Sequence, residues 1–66
     1  MPTITESVLV VEDSDCYTEV RLLSDGRVLL HAEDSDVAAE PVYTVEQARK
    51  LHEALGHLLY LANQEA

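Results

Sequence analysis

Basic residues are scarce in this chain: four Lys and Arg stand against thirteen Asp and Glu, for a net charge of −9. Repulsion from phosphate backbones makes direct nucleic-acid binding a poor expectation. The same charge should keep the chain soluble and favours basic partners, including the basic groove of a nucleic-acid-binding protein. Cysteine is limited to Cys16, so no internal disulfide can form and a secreted disulfide scaffold is excluded. Pairing between two chains through Cys16 stays open as an alternative, but a lone small thiol in a strand reads as half-buried filler. There are two glycines, too few for a phosphate-cradling loop, and no Gly-x-Ser-x-Gly elbow exists. No apolar run approaches the roughly 18 residues of a membrane span. Met1 to Val11 lacks the basic region and long apolar core of a signal peptide, so the expectation is a cytoplasmic chain with no membrane partner.

What remains is one domain, 1-66. A chain this short buries only about 60% of the surface its unfolded form exposes. Small domains of this kind gain support from disulfides, a metal or self-association. Without the first two, a homodimer is the expectation.

Three strands are expected, over about 4-11, 16-23 and 27-32, separated by acidic or Gly-containing turns. A three-residue Ser24-Asp25-Gly26 loop, with Gly26 left-handed, pairs Leu22 with Val28 and Val20 with Leu30. The opposite face then pairs Glu19 with His31 and Tyr17 with Glu33. A three-residue Asp13-Ser14-Asp15 loop likewise pairs Val10 with Thr18 and Val8 with Val20. A one-residue slip would exchange the faces, and this register separates core from solvent. The core face is Ile4, Val8, Val10, Thr18, Val20, Leu22, Val28, Leu30 and Ala32. The other face is mostly polar but holds Leu9, Val11, Leu23 and Leu29, either scattered surface apolars or part of an interface.

Residues 33-43 read as a loop. Tyr43-Thr44-Val45-Glu46-Gln47-Ala48 has the form of a capping box, with Thr44 as N-cap, Gln47 three residues on, and Tyr43 and Ala48 placed for a hydrophobic staple. A helix should follow from about 45 to 62. Its stripe of Ala48, Leu51, Leu55, Leu58 and Ala62 is set to cover the core face of the sheet. The expected fold is therefore α+β, a β-β-β-α antiparallel meander with one amphipathic C-terminal helix packed on one face. Leu59, Tyr60 and Leu61 make the helix end apolar on nearly every side, and such a helix needs two surfaces. A second chain supplies one; loop cover from Val37 to Val42 is the alternative. Leu55, Leu58, Leu59, Tyr60 and Leu61, with Leu9, Val11 and Leu29 on the sheet, are the candidate dimer contacts. Gly56, which costs about 1 kcal/mol in a helix relative to Ala, is a candidate for close approach of another backbone.

In an up-down-up meander the ends of the first and third strands share one edge. Glu12, Asp13 and Asp15 should therefore meet Glu33, Asp34 and Asp36 there. Three readings of this cluster stay open: solvated acids without a role, a docking patch for a basic partner, or a divalent-cation site, since hard cations take carboxylate oxygens. Neither segment follows the calcium-loop spacing, and no metal ligands, cofactor or catalytic residues are assigned. His52 and His57 resemble a His-Glu-x-x-His helix with one residue too many; at five residues they diverge by about 140°.

The segment Tyr43-Thr44-Val45-Glu46-Gln47-Ala48-Arg49-Lys50-Leu51-His52-Glu53-Ala54-Leu55 resembles the ending of short, uncharacterised actinobacterial and actinophage proteins, with strands followed by a Thr-x-Glu-Gln-Ala-Arg helix. The resemblance implies no enzyme activity and offers no functional residues. The leading expectation is a non-enzymatic interaction module, a regulator or inhibitor that docks on a basic surface, with nucleic-acid mimicry as its specific form. The alternatives are a nucleic-acid-binding regulator using Arg21, Arg27, Arg49 and Lys50, and a structural assembly subunit.

Overall fold

The computed structural model describes residues 1–65. An antiparallel sheet precedes one helix, in the order β1 (Ile4–Glu12), β2 (Cys16–Leu23), β3 (Val28–Asp34), β4 (Val37–Ala39), β5 (Val42–Tyr43) and α1 (Val45–Glu65). The sheet runs β1-β2-β3-β4, and β5 also pairs with β3. The α+β expectation holds, but three strands become five. Residues 33 and 34 extend β3, and most of the expected loop is strand.

The reason lies in a hairpin without glycine. Asp34 pairs with Val37 across Ser35 and Asp36, and Ser35 adopts a φ of 52°. Two-residue hairpins call for this left-handed backbone, usually from Gly or Asn; Ser accepts it at roughly 1 kcal/mol. The outer strand then breaks at Glu40-Pro41. Proline lacks an N–H and is tolerated at a sheet edge, while its carbonyl still accepts from Leu30 N at 3.0 Å.

The expected β2–β3 register is present in full: Leu22 opposite Val28, Val20 opposite Leu30, Glu19 opposite His31 and Tyr17 opposite Glu33. Gly26 has a φ of 91°, and its N–H donates to Leu23 O at 3.0 Å. Asp25 tightens the same loop. Its carboxylate accepts from Arg27 N at 3.0 Å and from Arg27 Nε at 2.8 Å. The backbone bond from Arg27, joined by the side-chain bond and charge of the same residue, holds the Asp25 carboxyl below its ordinary value of 3.8. A carboxyl depressed in the folded state contributes stability above its unfolded pKa and loses it as pH falls through the folded one. Acidification below 3.8 should therefore loosen the hairpin, and in Asp25→Asn that part of the acid-induced drop in melting temperature should vanish. Parallel thermal melts of the two chains across that range check it.

β1 departs from expectation. Val8 does pair with Val20, but a bulge between Leu9 and Val11 puts Val11, not Val10, opposite Thr18, and Glu12 opposite Tyr17. Asp13 N then donates to Cys16 O at 2.8 Å, so the turn is Ser14-Asp15 rather than the three residues expected. A second irregularity between Ile4 and Glu6 puts Ile4 opposite Leu23. Opposed residues share a face, so Ile4 leaves the expected core face and Val11 joins it. The two faces are named here for their central β2 residues, Val20 and Glu19.

The largest departure concerns α1. The helix starts as expected: Gln47 N donates to Thr44 Oγ1 at 3.2 Å and Thr44 N donates to Gln47 Oε1 at 3.0 Å. These reciprocal bonds satisfy two of the free groups of a helix start. The expectation that α1 packs on the sheet fails. From Val45 to Gln64 every residue is exposed except Ala48, which is half-buried. The cause is the joint. β5 ends at Tyr43 and α1 begins at Val45, so the one residue between them is already used as the cap. No chain remains to turn the helix back over the sheet. Among the described residues Leu23, 8% exposed, is the only hydrophobic residue that is buried.

Candidate functional site

The acid-bearing turns meet as the topology requires. Cys16 lies opposite Asp34 and Tyr17 opposite Glu33, while Glu12 lies opposite Tyr17 on the other side. Ser35 N donates to Asp15 O at 2.8 Å, a backbone bond that ties the β3–β4 turn to the β1–β2 turn. Between them opens a concavity of about 400 Å³ lined by Asp13, Ser14, Asp15, Cys16, Tyr17, Glu33, Ser35 and Asp36. Four of the six expected carboxylates line it. Glu12 and Asp34 sit on the flanking strands, outside its wall. Ser14 N donates to Asp13 Oδ1 at 2.9 Å, which turns that carboxylate toward its own turn.

Tyr17 and Ser35 also line the concavity, and neither belongs to a site motif in the sequence. The Tyr17–Glu33 pairing was legible from the strand register; Ser35 depends on a hairpin that carries no usual turn signal. Among the described residues no group of three His, Cys, Asp or Glu is placed to hold a metal ion.

Next to this edge, on the Glu19 face, lies a charged network. Arg21 Nε donates to Glu19 Oε1, and Arg21 Nη1 stands 3.9 Å from Glu40 Oε2. The hydrogen bond to Glu19 and the two carboxylate charges hold the Arg21 guanidinium above its ordinary pKa. His31 is bracketed by carboxylates, with Nε2 3.3 Å from Glu33 and Nδ1 3.4 Å from Glu40. Its ring meets that of Tyr17 edge-on at 5.9 Å. Glu19 and His31 are opposed as expected, yet each takes its ionic partners elsewhere. Glu40 joins Arg21 to His31, and as a loop residue it gave no sequence signal.

Two of the chain's four basic groups are thus taken up near their own carboxylates: Arg21 with Glu19 and Glu40, and Arg27 with Asp25 at 2.8 Å. Arg49 and Lys50 lie on the first turns of α1. None of the four lines the acidic concavity. Of the candidate dimer contacts, Leu9, Leu55, Leu58, Leu59, Tyr60 and Leu61 are all exposed, Val11 is exposed on the Val20 face, and Leu29 is half-buried. A Cβ added at Gly56 meets nothing of this chain within 4 Å. Among the described residues, no helix is long and apolar enough to cross a membrane. No family model, curated protein or solved structure matches the chain.

Proposed function

We propose that this protein is a non-enzymatic interaction module, a homodimeric cytoplasmic regulator or inhibitor that docks its acidic edge on a basic surface of another macromolecule. One observation carries the reading: the Ser35–Asp15 backbone bond holds two acid-bearing turns around one open concavity that no Lys or Arg lines. Like charges held together this way repel, and a basic partner relieves that repulsion on docking. Occupation of a nucleic-acid-binding groove is the specific form, because such grooves present cations to receive phosphates.

The test separates local from bulk charge. Asp13→Lys with Asp36→Lys and, as control, Glu46→Lys with Glu53→Lys each move the net charge from −9 to −5. Binding to a poly-arginine peptide should weaken at least tenfold more in the first chain than in the second. For the parent it should also fall steeply as salt is raised. Equal losses in both chains, or an affinity that ignores ionic strength, would retire the acidic-edge reading.

A further inference from the structure

We infer that two copies of this chain exchange helices, α1 of each lying along the Val20 face of the other's sheet. This rests on the two-chain reading proposed above and specifies which surfaces meet.

Surface area carries the argument. A compact monomer of 7.3 kDa exposes about 4,200 Å² by the usual scaling with mass, whereas this chain exposes 5299 Å². The excess, about 1,100 Å² per chain, exceeds the roughly 800 Å² per partner of a standard stable interface. The radius of gyration agrees: 13.6 Å, against about 11 Å for a compact chain of this length.

The excess sits on two surfaces that complement each other. On the sheet, Val8 and Leu22 are 62% and 44% exposed, and with Val20 and Val28 they form the apolar part of a shallow depression of about 130 Å³ that Glu6 and Arg21 also border. On the helix, Leu55, Leu58 and Leu59 are 52%, 60% and 63% exposed. The helix stripe from Ala48 to Ala62 spans about 21 Å; the eight residues of β2 span about 26 Å. Helix and sheet therefore match in length and in character, yet the Thr44 joint keeps them apart within one chain. Between two chains nothing does. A two-fold axis lets each copy cover the other, so both apolar surfaces are buried by one closed arrangement.

The apolar girth of the helix end follows from the same arrangement. In the exchanged pair one side of Leu58 to Leu61 faces the partner's sheet, and the symmetry-related helix is available to the other. A sheet-to-sheet pair would leave the helices bare, and a helix-to-helix pair would leave the Val20 faces bare.

The test uses the unaltered chain. Sedimentation equilibrium should return twice 7.3 kDa. In an equal mixture of carbon-13-labelled and unlabelled chains, isotope-filtered NMR should show contacts between chains from the methyls of Leu51, Leu55 and Leu58 to those of Val8, Val20 and Leu22. Cross-chain contacts between helices alone, or between sheets alone, would overturn the exchange while leaving the two-chain reading intact. So would helix–sheet contacts confined to a single chain. A mass of 7.3 kDa would overturn both, whatever poly-arginine binding shows.

Discussion

Leu58→Asp should dissociate the protein and lower its melting temperature sharply. In a lone chain Leu58 is 60% exposed, and a surface change of that kind moves stability by only about 0.5 kcal/mol. In the exchanged pair the same side chain faces the partner's Val20 face. Burying a leucine stabilises by about 1.5–3 kcal/mol, and two-fold symmetry doubles every loss. A carboxylate left buried without a partner adds a penalty of about 3–5 kcal/mol in comparable sites. A combined cost of even 5 kcal/mol corresponds to a dissociation constant raised more than a thousandfold, at about 1.4 kcal/mol per tenfold. Sedimentation equilibrium and thermal melts at two protein concentrations read the effect directly. Glu53→Lys, on the far side of the helix, should change neither by comparison. If Leu58→Asp keeps the parent mass and melting temperature, the leucine stripe faces water in the working protein.

Leu23→Ala should be nearly as damaging for a different reason. Leu23 is the only buried hydrophobic residue among those described. It sits opposite Ile4, and its backbone closes the Gly26 loop by bonds to Arg27 and Gly26. Truncating a buried leucine to alanine costs about 2–5 kcal/mol. A domain of 66 residues has about 3–10 kcal/mol of stability in all. The variant should lose roughly half of its stability and melt well below the parent by circular dichroism. Leu23→Met, which conserves volume, should lose less than about 1.5 kcal/mol. A Leu23→Ala chain that melts with the parent would show that the sheet owes its stability to surfaces other than this one.

The parts of the fold legible in the sequence are those where local chemistry and burial agree. Cys16 to Leu23 and Arg27 to Ala32 alternate cleanly, and Asp25-Gly26 allows one bulged loop, so a single register separates apolar from polar. Thr44 and Gln47 specify the helix start by the same logic. Val8-Leu9-Val10-Val11 is apolar at both parities and supports a bulge as readily as a regular strand, so the position of Val11 was hidden. β4 was hidden because Ser35 does the work usually given to glycine. That omission had a consequence for packing. With residues 33-43 read as a loop, the helix had ample chain to fold back; with β5 running to Tyr43, it has almost none. The acidic edge needed only the order of the strands, so the convergence of Asp13, Asp15, Glu33 and Asp36 was legible. Its concave form needed the Ser35–Asp15 bond and was not.

In the exchanged pair proposed above, the single residue between β5 and α1 would govern stoichiometry. Thr44 acts as a taut hinge: it caps the helix and at the same time points it away from the sheet that made it. Slack inserted there, a few flexible residues ahead of the cap, would let each helix return to its own sheet and turn a second-order folding reaction into a first-order one. Under that proposal the number of chains in the working unit would follow from the length of one connection, with every apolar side chain left unchanged.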